Sequence, residues 1–356
     1  MHRPILTITL LLTATAAAGH AQLYSVTDLG TLGGTQSWAF GINNAGTVVG
    51  TAWTPGNAAN DAFSWSNGVM TDLGTLGGTS ASGNAINDSG TIAGGSFLTG
   101  NSTQHAISYS GGTMTDLGTL GGTLSAASDI NSVGTIVGAS TTGSGLFHAY
   151  SYSGGVMTDI GTLGGSTSNA RGINDSGTIV GQAQIVGDAA FHAFNYSGGV
   201  MSDLGTLGGT NSYAYAVNSG GITIGQSDTA SAQHAFSYSG GVMTDLGTLG
   251  GTNSTAYAIN YYGTIVGQAD TSSGSDAFLY SGGTMTDLNS LLDSSGAGWT
   301  LQFAYGINDN GWIVGYGINP SGQQDAFLLI APEPSACALL IGGLGLLGVV
   351  VRRRRS

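Results

Sequence analysis

The side chains best placed to do chemistry in this chain are aspartates, and they recur at a fixed spacing. Asp28, Asp72, Asp116, Asp159, Asp203 and Asp245 each open the phrase Asp-Leu-Gly-Thr-Leu-Gly-Gly or a close variant, at steps of 44, 44, 43, 44 and 42 residues, and a decayed copy stands at Asp287. Carboxylates in such numbers could hold a cation, or serve as acid and base in glycosidic chemistry, which needs two at a defined separation. An Asp at a strand end also caps a turn by accepting backbone N–H bonds. Repetition of one position favours the capping role, because catalysis needs one asymmetric site. His105, His148, His192 and His234 recur in the same way, with Asp61, Asp276 and Asp325 at the equivalent places elsewhere. Spread one per repeat, they are expected to be packed, hydrogen-bonded residues at strand starts and not metal ligands.

Three further groups could carry a site. Asp88, Asp175 and Asp309 sit in Asn-Asp-x-Gly turns that faintly resemble calcium loops but lack the spaced carboxylates and closing Glu of a true one. No metal site is assigned; these three are weak calcium candidates, and calcium is the only cofactor in view. Asp188, Asp228, Asp270 and Asp293 fall outside the recurring positions and are the candidates for an acid–base pair, although their spacing shows none. Trp38, Trp53 and Tyr213 depart from the repeat pattern, and their rings could stack on sugar. No nucleophile elbow, zinc signature, phosphate loop or dinucleotide fingerprint is present, so no residue is assigned as catalytic.

These residues need elements to position them, and the period supplies those. A repeat near forty residues marks one supersecondary unit copied along the chain. One unit reads Ala-x-Ala-Ile-Asn-x-x-Gly, then Gly-Thr-Ile-Val-Gly-Gln-Ala, then His-Ala-Phe-x-Tyr-Ser-Gly-Gly, then Val-Met-Thr-Asp-Leu-Gly. Each phrase is a short apolar stretch closed by Gly, Asn or Ser, the pattern of strands joined by tight turns. Four antiparallel strands per unit make one blade of a β-propeller. The first-strand Asn appears seven times, at Asn43, Asn87, Asn131, Asn174, Asn218, Asn260 and Asn308. The last copy lacks its fourth strand, while a spare one stands at Leu23 to Leu29. The expected fold is therefore an all-β, seven-bladed propeller over residues 22–330, closed by the N-terminal strand, which also removes a free edge. In His192-Ala193-Phe194-Asn195-Tyr196 the large residues share one face and Ala193 the other, so neighbouring blades should interdigitate large against small.

Charge narrows the partners. The chain has no Lys, and between its two ends it carries 18 Asp against a single Arg171, a net charge near −17. Such a surface repels phosphate backbones, which excludes nucleic acid. Cations, cationic surfaces and neutral glycans stay open.

Both termini read as addresses. Residues 1–21 form a short charged start, an apolar run and a small-residue cleavage site, the pattern of a cleavable signal helix. Residues 331–356 contain Pro332-Glu333-Pro334, an apolar run from Ala336 to Val351, and Arg352, Arg353, Arg354 and Arg355. The run suits a short transmembrane helix, and the Arg cluster orients it with the repeats outside. The one cysteine, Cys337, lies in this run, so the exported domain has no disulfide to form.

The phrases His192-Ala193-Phe194 and His234-Ala235-Phe236, with the downstream Asp-Leu-Gly-Thr-Leu-Gly-Gly, resemble the HAF-family extracellular repeat. The Pro-Glu-Pro tail with its helix and Arg run resembles the PEP-CTERM sorting signal. That resemblance implies a Gram-negative bacterium making extracellular polysaccharide, and an exosortase that recognises the Pro-Glu-Pro segment and removes the helix. The combined expectation is an exported, non-catalytic binding or structural protein of the cell envelope or polysaccharide matrix, held at the inner membrane at least transiently. The alternative is an extracellular propeller hydrolase or lyase acting on matrix glycan.

Overall fold

The structure, a computed structural model, describes residues 23–331. The leader, the Pro332-Glu333-Pro334 segment, the apolar run and the Arg tail lie outside the described residues. No helix among the described residues is long and apolar enough to cross a membrane.

The chain folds into seven four-stranded antiparallel sheets, over residues 37–74, 77–116, 121–159, 164–203, 212–245, 254–287 and 300–330, the last completed by Ser25–Asp28. Hairpin chemistry explains the strand ends. Gly111 and Gly112 have φ of 58° and 84°, which only a residue without Cβ adopts easily, and they join Gln104–Ser110 to Thr113–Asp116. A single parallel bridge between Asn60 and Ser80 links the first two sheets. The spare N-terminal strand pairs as expected: Ser25 lies opposite Ile330 and Asp28 opposite Phe327.

The first-strand asparagines show why the count closes. Each Asn Nδ2 donates to the backbone carbonyl of the next one along, from Asn43 to Asn87 and onward, and Asn308 donates back to Asn43, all at 3.0–3.2 Å. Each Asn Oδ1 meanwhile accepts the N–H four residues ahead, as Asn87 does from Thr91, so one buried amide both closes its own turn and ties two sheets. The result is a cyclic belt, consistent with a seven-bladed propeller.

Packing between sheets follows the large-against-small alternation. Fully buried Phe194 shares a core cluster with Ala149 and Val137 of the preceding sheet, and Phe236 does the same with Ala193 and Val180. Phe278 with Ala235, Phe327 with Ala277, Phe63 with Ala326 and Tyr150 with Ala106 repeat the arrangement. Replacing Phe194 by Ala is expected to cost about 3–5 kcal/mol, because the rigid sheets cannot collapse into the hole. Urea unfolding checks this; a loss below about 1 kcal/mol would mean the ring does not hold the two sheets together.

Candidate functional site

The recurring Asp and His turn out to be partners. His105 Nδ1 lies 2.8–2.9 Å from the Asp116 carboxylate, and His148–Asp159, His192–Asp203 and His234–Asp245 repeat the pair at 2.7–2.9 Å. Each of these Asp residues also caps the turn after it, as Asp116 does by accepting the Gly118 N–H at 2.8 Å. Asp28 and Asp72 cap Gly30 and Gly74 in the same way. The pairs sit one to a sheet, so the four His residues never converge on one centre.

Where Asp replaces His, two carboxylates face each other. Burial, and then the neighbouring Asp72, pushes the Asp61 carboxyl up; burial and Asp287 do the same to Asp276. Asp325 is pushed up to about 6 by burial and then by Asp28, against a hydrogen bond from Asn319.

The turn-face candidates are inter-sheet ties. Asp88 accepts the N–H and side-chain amide of Asn44 from the neighbouring sheet, at 2.8 and 3.0 Å. Asp175 accepts from the Ser132 N–H, and Asp309 from the Tyr261 N–H, both at 2.9 Å. They line a funnel of about 420 Å³ whose asparagines are committed to the belt. The acid–base candidates are also engaged locally and stay apart. Asp188 accepts from Ser166, Asp228 from Asn211, Asp270 from Asn253 and Ser275, and Asp293 from Ser295. The hydrogen bond from Ser275 holds Asp270 below the usual carboxylate range, and that from Ser295 does the same for Asp293. No group of three or more His, Cys, Asp or Glu able to hold a metal ion occurs among the described residues.

The one asymmetric constellation lies in the central channel, and a β-bulge builds it. In the first strand of each sheet the register slips by one residue: Ala39 pairs with Gly50 and Gly41 with Val49, which leaves Phe40 unpaired. The same slip occurs at Asn84, Ser128, Arg171, Tyr215, Tyr257 and Tyr305. A bulge re-aims the side chain of its extra residue. These seven residues line a cavity of about 330 Å³. It is separated from the turn-face funnel by a collar that includes Ile42, Ile86 and Ile259, which border the spaces on both sides of it.

The ring has two halves. Tyr215, Tyr257, Tyr305 and Phe40 form an aromatic arc, with successive ring centroids 5.7, 4.7 and 5.6 Å apart. Phe303 and Tyr316 back the arc by stacking at 4.7 Å, and Trp38 meets Tyr316 edge-on at 6.4 Å. Burial pushes the Tyr257 hydroxyl up to about 12 and Tyr305 and Tyr215 upward as well, so all three are neutral hydrogen-bonding groups at physiological pH. Asn84, Ser128 and Arg171 make the other half. Asn84 donates to the Ala127 carbonyl at 2.7 Å, leaving its own oxygen free. Beside them the Asp129 carboxylate accepts the Ile130 and Ile173 N–H groups at 2.8 and 2.9 Å, and burial pushes it up to about 7.

Of the expected sugar-stacking residues, Trp38 therefore joins the arc through Tyr316. Tyr213 stacks on Phe191 at 6.2 Å, outside the cavity lining, and Trp53 ends a strand where its backbone bonds Gly34 and Gln36. The bulge residues themselves carry one signal in sequence: they occupy the variable position of Ala-x-Ala-Ile-Asn, and Arg171 is the one cation of the repeats.

Comparison with known proteins adds the address and little about the site. No curated protein matches this chain. Among solved structures it is similar to TolB from Acinetobacter baumannii (TM-score 0.42, 14% identity, covering 68% of this chain and 64% of that one). It is also similar to a putative TolB from Agrobacterium tumefaciens (0.42, 12%, covering 68% and 90%) and to Trypanosoma rangeli sialidase (0.36, 11%, covering 93% and 57%). Residues 331–355 match the PEP-CTERM protein-sorting motif, which implies export and exosortase processing at the cell envelope. The chain thus joins a PEP-CTERM sorting motif to a propeller-type fold of seven four-stranded sheets.

Proposed function

We propose that this chain is an exported, non-catalytic seven-bladed propeller, built from repeats that resemble the HAF family, which binds extracellular saccharide through its central channel. The observation that carries this reading is the split bulge ring: an aromatic arc faces Asn84, Ser128 and Arg171 across one cavity. Aromatic faces carry negative charge that favours the C–H bonds of a sugar ring, while amide, hydroxyl and guanidinium groups match its oxygens. A cavity of this size is within the range of small-molecule sites. Ala331, where the sorting motif begins, borders a space with Asp309, Asn310 and Gly311 on the turn face. The bulge ring lies beyond the collar from that face, so it is directed away from Ala331.

The test is a glycan-binding screen on the purified protein, with product release followed in parallel and melting curves taken with calcium and with chelator. Saturable binding without product, and a melting temperature indifferent to calcium, is the expected outcome. Tyr257→Ala should weaken binding by about tenfold, since a buried aromatic contact is worth roughly 0.5–1.5 kcal/mol beyond its area. Release of shortened glycan would replace this reading with the hydrolase or lyase alternative. A large calcium-dependent melting shift would make the acidic turns metal sites.

A further inference from the structure

The structure assigns a chemical class to the ligand of that channel: we infer that it is an acidic saccharide, whose carboxylate is received by Arg171 while its ring lies on the Tyr215–Tyr257–Tyr305 arc. The inference rests on the saccharide reading and narrows it.

Arg171 is the only cation between the two ends of a chain region that holds 18 Asp. A structural role for such a residue would be an ion pair, and with so many carboxylates on the same body a partner would be easy to supply. None is supplied. Among the described residues no carboxylate lies within ion-pair distance of Arg171, and its guanidinium makes no hydrogen bond to protein. The nearest acidic group lining the same space, Asp129, spends both oxygens on the Ile130 and Ile173 N–H groups. The bulge at Arg171 turns its side chain into the cavity instead of along the sheet. Its five N–H donors form a planar fork that matches a carboxylate in bidentate fashion.

Electrostatics sharpen the choice. On a body of net charge near −17 the channel holds the single guanidinium, so it is where a carboxylate gains a permanently cationic partner. A neutral sugar would stack on the arc but leave the guanidinium without an anion. A phosphate monoester is largely dianionic at neutral pH, whereas a fork beside an uncharged Asn and Ser supplies only one positive charge, which suits a monoanion better. Arg171 flanks the Tyr215 end of the aromatic arc, so the arc fixes the ring and sets the distance from ring face to acidic group.

The experiment measures calorimetric binding of a galacturonic acid tetrasaccharide and of its carboxyl-reduced, neutral counterpart to the full chain. It uses wild type, Arg171→Gln, Arg171→Lys and Tyr257→Ala. The wild type should prefer the acidic tetrasaccharide by at least about tenfold, the value of one charge-assisted bidentate contact. Arg171→Gln should abolish that preference while keeping the weaker neutral binding, and Arg171→Lys should retain part of it. Tyr257→Ala should weaken both ligands together. Because Arg171 has no partner among the described residues, its variants should melt with the wild type. Equal binding of the two tetrasaccharides by wild type, or a preference that survives Arg171→Gln, overturns the acidic-ligand inference while leaving saccharide binding intact. Binding of neither overturns both readings.

Discussion

Gly225→Ala is expected to destabilise the protein by about 3 kcal/mol or more, at or beyond the upper end of the usual overpacking range. The substitution looks mild, since Gly225 lies in an extended strand where Ala costs nothing in φ. The difficulty is space. A Cβ there would run into the Tyr213 carbonyl oxygen and sit 2.9 Å from the Ala214 Cα, both backbone atoms that cannot rotate away. The cause is the bulge: Ala214 faces Gly225 across the ladder, and the unpaired Tyr215 beside it draws the first strand close. The same collision recurs at Gly50 with Trp38, at Gly138 with Ala126, at Gly181 with Asn169 and at Gly267 with Thr255. The second glycine of Gly-Thr-Ile-Val-Gly is thus required by the feature that builds the channel. Gly240→Ala is the control, with a φ of 59° and open space around its Cβ; it should cost only about 1 kcal/mol. Urea unfolding of both variants decides. A smaller loss for Gly225→Ala than for Gly240→Ala would mean that the inner strands have slack.

Stability is expected to rise as pH falls from about 7.5 to 5, the reverse of ordinary acid weakening. An unfolded Asp titrates near 3.8, whereas burial pushes Asp129 up to about 7 despite the opposing Ile173 and Ile130 N–H groups, with Asp175 adding a smaller push. Between those values the folded chain holds a proton that the unfolded chain has released. That contribution is complete below about 3.8 and is lost as the pH rises through about 7. Asp325 acts in the same direction, losing its contribution as the pH rises through about 6, and Asp61 and Asp276 share the sign. Asp270 and Asp293 have the opposite sign, but their contribution is lost only as pH falls below the ordinary Asp range, outside this window. The gain is on the order of 2–4 kcal/mol, or roughly 3–6 °C in Tm for a chain of this size. Melting curves across pH 5–8 read it directly, and Asp129→Asn, which cannot titrate, should flatten the slope. A Tm that falls steadily from pH 7 to 5 would show that these carboxyls are solvated in the folded protein.

The sequence by itself determined the architecture. A blade is a local object: its turns need Gly, Asn or Ser at set places, and its faces need large residues opposite small ones. Those demands recur in every unit and can be read from a single copy. The spare strand at Ser25–Asp28 and the missing one after Gln324–Ile330 could be matched before any coordinates, because an unpaired edge is costly wherever it falls. The capping role of Asp116 and its counterparts was legible for the same reason.

Only the tertiary structure decided the site. His105 and Asp116 are eleven residues apart and read separately, yet antiparallel pairing of their strands brings them into one hydrogen bond. The bulge leaves no mark in composition, since it is a slip of register between two strands. Arg171, Tyr257 and Phe40 come from different blades and meet because closure directs every bulge at one axis. Trp38 reaches the arc through Tyr316, more than two hundred residues away, while Tyr213 and Trp53, equally conspicuous in the sequence, pack elsewhere. A repeat reports what each unit needs from its neighbours, whereas the channel is made by all seven at once, through the residues that the repeat leaves free to vary.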